Sequence, residues 1–138
     1  MYNSNMNIER LREVRHLQKE IAELAELRES LYYPISSPKL SNDSHGTTPG
    51  DPTARAFKAL QSVDEKIASL QMKLAQEVSE ILDWLYVDVE SSELRSIMIC
   101  HYLEGMSWYQ TTRHVLGYDG TDSARMRVYR YFGKCNDM

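Results

Sequence analysis

The apolar residues Ile8, Leu11, Val14, Leu17, Ile21, Leu24, Leu27 and Leu31 recur at three- and four-residue steps, with Glu and Arg filling positions between them. That spacing lays one apolar stripe along a helix and predicts a long amphipathic helix within residues 1–33. Glu13, Glu20, Glu23, Glu26 and Glu29 are good helix formers and supply its solvated face. A second stripe, Leu60, Val63, Ile67, Leu70, Leu74, Val78, Ile81 and Leu85, has a near-heptad rhythm and predicts a second long helix over 53–87. Pro34, Pro38, Pro49 and Pro52 fall between the stripes among Ser, Gly, Asn and Thr, so 34–52 is expected to be a flexible loop through which no helix persists. It is either a disordered linker or a loop that a partner orders. The stripes bury each other as an antiparallel hairpin, or each pairs with copies from another chain as a coiled coil. A two-helix hairpin buries little area, which favours a homo-oligomer formed through the long helices.

Beyond Val89 the signals shorten. Ser91 or Ser92 caps a helix carrying Leu94, Ile97, Met98 and Tyr102 on one face, with Gly105 as terminator. Ser107-Trp108-Tyr109-Gln110 has the form of a capping box and predicts a second short helix to about Leu116, its apolar side formed by Trp108, Val115 and Leu116. Gly117-Tyr118-Asp119-Gly120 suits a turn, and Thr121 or Asp122 caps a third helix from Ser123 to about Phe132. Ala124, Val128 and Phe132, at four-residue steps, are expected to face a core. The expected fold is all-α: a long two-helix hairpin or coiled coil, then a three-helix helix-turn-helix module over 88–138.

A length of 138 residues with 42% hydrophobic and 26% charged positions suits one compact unit or two small ones. Cys100 and Cys135 lie 35 residues apart, which matches neither a redox pair nor a zinc framework and fits a reducing setting. No apolar run approaches the roughly 18 residues of a membrane span and the first residues lack a targeting pattern, so a cytoplasmic location and no membrane partner are expected.

The net charge of −4 argues against nucleic acid until it is divided along the chain. The first hundred residues hold 11 Lys and Arg against 16 acids, whereas 113–134 hold five against two. Such clustering is what a DNA-facing surface requires, and Arg113 and Lys134 belong to it. On the third helix Ser123, Arg127 and Arg130 lie along one side, flanked by Arg125, Met126 and Tyr129, with Asp122 at its start. A major groove admits one helix, and arginine bonds guanine O6 and N7 in a forked geometry. Solvated arginines, with Tyr129 and Tyr131 completing a small core or a protein interface, are the alternative. Spacing alone leaves the two nearly even.

No pairing of a nucleophile with a base is visible, and no cluster of His and carboxylates. His101 and His114 are 13 residues apart on different expected helices, and His45 stands alone in the loop, so no metal or cofactor is expected. The glycine turn at Gly117 has neither a preceding strand nor a phosphate-loop lysine. An enzyme is not expected.

The stretch His101-Tyr102-Leu103-Glu104-Gly105-Met106-Ser107-Trp108, then Leu116-Gly117-Tyr118 and the run from Thr121 to Tyr131, resembles region 4 of sigma-70-type factors. It is similar in particular to short phage-encoded sigma-like transcriptional regulators, where a long helical part with a Gly/Pro-rich interruption precedes the helix-turn-helix. The likeness covers most of the chain, although only its C-terminal third carries specific motifs. Two departures stand out: Thr112 where a small alanine is usual, and a 117–121 turn longer than the common one. The resemblance implies promoter-region double-stranded DNA binding in a bacterial host cell and contact with RNA polymerase. It assigns groove reading to the helix from Ser123 to Arg130 and positioning to the helix that begins at Ser107. Nothing resembles the promoter-melting region, so a phage or prophage regulator is expected, not a replacement for the housekeeping factor. A small terminase subunit for phage DNA packaging and a protein-binding helical adaptor are the alternatives.

Overall fold

The structure, a computed structural model, describes residues 6–36 and 52–136, all in helices or short connections. Helix α1 spans Ile8–Ser36 and α2 spans Pro52–Asp88. Helix α3 (Ser92–Met98) widens into a π-helical turn, Ile99–Leu103, and α4 (Trp108–Thr111) does the same over Thr112–Leu116. Helix α5 is Asp122–Asn136. The described residues contain no strand, so the fold is all-α.

Asn7 caps α1 by accepting the Arg10 N–H on its side-chain oxygen at 3.0 Å, which satisfies one of the first-turn donors that lack an intrahelical partner. The helix runs past the expected stop at residue 33 and carries Pro34 in its final turn. A proline there forfeits one bond near an end, where the helix stops two residues later, instead of breaking an interior. At the start of α2, Pro52 takes the first helical position, where its missing N–H is one that has no intrahelical partner in any case. The remainder of the expected 34–52 loop lies outside the described residues.

Two compact units divide the chain, and each long helix contributes to both. The first joins α1 up to Gln18 with everything from Leu74 onward. Its core contains Leu11 and Val14 of α1, Ile81, Trp84 and Leu85 of α2, Val89, Ile97, Met98 and Tyr102 around α3, and Ala124, Val128 and Phe132 of α5. Trp84 stacks on Phe132 with ring centroids 5.9 Å apart and meets Tyr131 edge-on at 6.1 Å, fixing α5 against α2. Arg10 reaches Glu77 at 2.9 Å and Glu80 at 2.7 Å across the same unit. The three short helices therefore do not form a closed core over 88–138, because their apolar faces are completed by α1 and α2.

The second unit comprises Lys19–Lys73. Here α1 and α2 meet through an Arg28–Asp64 ion pair at 2.6 Å, and Val63 is buried. Ile21, Leu24, Leu60, Ile67 and Leu70 are only half-buried, while Leu27, Tyr32, Phe57 and Met72 are exposed. The long helices thus contact one another within one chain but leave much of this stretch of their stripes in reach of solvent. No helix among the described residues is long and apolar enough to cross a membrane.

Candidate nucleic-acid interface

Helix α3 starts where Ser91 accepts the Leu94 N–H at 3.1 Å, and it buries Ile97 and Met98. Its widened last turn closes through Glu104 N–H to Ile99 O at 2.9 Å. Gly105 then adopts φ +80°, the left-handed region in which a side chain is strained, and Met106 N–H returns to Cys100 O at 3.0 Å. This reversal separates the widened end of α3 from the start of α4.

The carbonyls freed at that reversal are satisfied by α1. Arg15 donates to His101 O at 2.5 Å and to Met106 O at 3.1 Å, and Gln18 donates to Leu103 O at 2.7 Å. His101 is buried, and its Nδ1 lies 2.7 Å from Met106 O; a carbonyl only accepts, so Nδ1 carries the proton. Burial, then the Arg15 charge, pull the imidazole down to about pKa 4 against the opposing bond to Met106 O, so it is neutral at pH 7. Burial likewise pushes the Tyr102 hydroxyl and the Cys100 thiol up, which leaves both protonated.

Helix α4 opens with the reciprocal cap read from the sequence: Gln110 N–H donates to Ser107 Oγ at 3.0 Å, and Ser107 N–H donates to Gln110 Oε1 at 2.9 Å. Its most deeply buried side chains are Thr111 and Thr112, while Trp108, Val115 and Leu116 are half-buried against the core. Neither threonine hydroxyl has a hydrogen-bond partner among the described residues. Gly117, at φ +85°, ends the helix and donates to Thr112 O and Arg113 O.

Helix α5 turns Ala124, Val128 and Phe132 inward, as their spacing predicts, which commits the opposite side outward. Asp122, Ser123, Met126, Arg127 and Arg130 line one shallow depression, together with Tyr118 from the preceding turn. These five are the part of the expected DNA-contacting set that the fold brings together. Arg125 is drawn back along the helix by an ion pair with Asp122 at 2.9 Å. Tyr129 lies apart from that depression; its hydroxyl accepts from Arg12 at 2.9 Å, and it lines a second recess with Arg15, His16, His101, Tyr102 and Trp108. Arg113 is exposed on α4 beside Met106, Gln110 and His114. The Ser107 hydroxyl is engaged in the cap, and the Lys134 side chain lies outside the described residues.

Charge counting misses how these cations are engaged. Arg127 is ion-paired with Glu93 of α3, so two of the arginines on α5 have acidic partners, whereas Arg130 and Arg113 have no ion pair among the described residues. Glu93, Tyr118 and Arg12 carry no signal in a periodicity or motif reading, since each acquires its neighbour only through folding. The depression offers two hydroxyls, a thioether and two guanidinium groups beside the Asp122 carboxylate, so its donors can meet an extended acceptor-rich partner. Among the described residues no group of three or more His, Cys, Asp or Glu is placed to hold a metal ion.

Comparison of the chain with known protein families, with characterised proteins and with solved structures yields no match.

Proposed function

We propose that the protein binds double-stranded DNA sequence-specifically, with α5 as the groove-reading helix, and acts as a phage or prophage transcriptional regulator. The observation that supports this reading is the division of α5. Ala124, Val128 and Phe132 hold its back in the core while Ser123, Met126, Arg127 and Arg130 share one open face. A major groove accommodates one α-helix, and arginine is the side chain best shaped to bond a guanine edge in it. Arg113, exposed on the neighbouring helix, suits a phosphate contact. The regulatory role and a contact with RNA polymerase rest on the resemblance of the 101–131 stretch to sigma region 4.

The half-buried stripes of the 19–73 unit favour assembly of copies through the long helices. A DNA-reading homo-oligomer places two recognition helices on two half-sites, so the bound sequence should be repeated. Selection of bound sequences from random duplex DNA tests the reading directly, with Arg127→Ala and Arg130→Ala as variants. Both substitutions should lower affinity for the selected sequence while helicity is retained. Unchanged affinity in both would exclude α5 as the reading helix. Retention of no duplex even at low salt would favour a protein-binding adaptor instead.

A further inference from the structure

We propose that Glu93 is a positioning residue that presents Arg127 to a guanine, an inference that rests on the reading of α5 as the groove helix. Glu93 Oε1 engages Nη1 of Arg127 across 34 residues of sequence, linking α3 to α5. That contact occupies one terminal nitrogen and leaves the other edge of the guanidinium, Nε and Nη2, as an intact two-donor fork. Such a fork matches the O6 and N7 acceptors of guanine in the major groove.

The carboxylate is itself well anchored. It sits in the first turn of α3, whose start is fixed by the Ser91 cap, and α3 and α5 share a core through Ile97, Met98, Ala124 and Val128. Both partners keep about half their surface, with side-chain exposures of 40% for Arg127 and 48% for Glu93. An ion pair so open to water contributes little to folding, so its main effect is to restrict where a long, flexible side chain points. The other arginines of the face lack this arrangement. Arg125 is held by Asp122 on its own helix, and Arg130 has no ion pair among the described residues.

A carboxylate beside a DNA-facing surface also repels phosphate, so its two effects have opposite signs. Removing the charge should strengthen binding to any duplex while weakening discrimination at one base pair. A residue that only repels DNA, or only supports the fold, cannot produce that combination.

The test measures affinity of the full chain for its selected duplex, for that duplex with each base pair changed in turn, and for unrelated duplex. Wild type is compared with Glu93→Gln and Glu93→Asp, each also made in an Arg127→Ala background. In Glu93→Gln the preference for one G·C pair should fall by roughly tenfold, within the range that one forked arginine contact discriminates, while unrelated duplex binds more tightly. Glu93→Asp keeps the charge but shortens the reach, so it should lose the same preference without the general gain. Neither effect on preference should appear in the Arg127→Ala background. The proposal is overturned if Glu93→Gln strengthens binding to every sequence by one common factor, or if Glu93→Gln lowers a base preference by the same factor in the Arg127→Ala background as in wild type. A wild type with no base preference anywhere would overturn the groove-reading assignment as well, which separates that failure from a failure of Glu93 alone.

Discussion

The imidazole of His101 lies flat against the indole of Trp108, with ring centroids 3.5 Å apart and planes 13° from parallel. This pair joins the end of α3 to the start of α4, and the histidine is neutral because burial, then the Arg15 charge, lower it from 6.5 to about 4. The unfolded chain therefore binds a proton more readily than the folded one between those values. Stability should be complete above the unfolded value, fall as the pH drops through the interval, and level off below the folded value. The loss attributable to His101 is at most roughly 3 kcal/mol. Urea midpoints across this range, compared with His101→Gln, check it: the variant should show a flatter profile over the interval.

Arg15 and Leu11 tie α1 into the unit that carries the candidate interface. Arg15→Met removes charged donors from two carbonyls and should cost about 2 kcal/mol. Leu11→Ala leaves a cavity in the core and should cost about 2–5 kcal/mol. Both are measured by denaturant unfolding of the full chain, followed through tryptophan fluorescence from Trp84 and Trp108.

Thr112 offers a stabilising change. Its hydroxyl is buried and has no partner among the described residues, and valine has nearly its shape, so Thr112→Val should raise stability by about 1 kcal/mol with unchanged helicity. Thr111→Val should behave similarly. A large loss in either variant would show that the hydroxyl has a function the static contacts do not display.

Ser107→Ala should cost about 1 kcal/mol, because the Gln110 N–H loses its acceptor and the reciprocal cap is broken. Ser107→Asp, which restores an acceptor, should recover most of the stability while the alanine variant does not.

For the proposed DNA complex, Arg130 and Arg125 should differ. Arg130 is exposed and has no ion pair among the described residues, so if it meets a phosphate Arg130→Ala should reduce the salt dependence of binding by about one unit of slope. Arg125, already paired with Asp122, should change that slope less. Fluorescence anisotropy across a salt series reads both.

The sequence carried the elements well because their signals are local. The capping box at Ser107 and Gln110 depends on four consecutive residues, and the inward row of Ala124, Val128 and Phe132 follows from helical spacing alone. What covers a stripe is a different question. The row containing Leu11 and Val14 is indistinguishable by pattern from the row containing Ile21 and Leu24, yet the first pair is fully buried and the second only half-buried. Division of the chain at 33, 52 and 87 followed proline and helix boundaries, whereas the compact units cut through both long helices. Thr111 and Thr112 read as polar but are buried, because a β-branched threonine fills the volume of a valine. The pairing of Arg127 with Glu93 is invisible to a charge count, which records residues but not which of them face one another.

The core that joins Leu11 and Val14 to Val128 and Phe132 also sets an order of assembly during synthesis. The first turns of α1 leave the ribosome long before their last partners exist, and at about 5–20 residues per second the interval is of the order of ten seconds. During that time a nascent chain carries an apolar stripe with no completed surface to cover it. Helix α5, translated after every element it packs against, is both the proposed reader of DNA and the piece that closes the unit, so a chain cut short before α5 lacks not only its arginines but the folded support that would hold them.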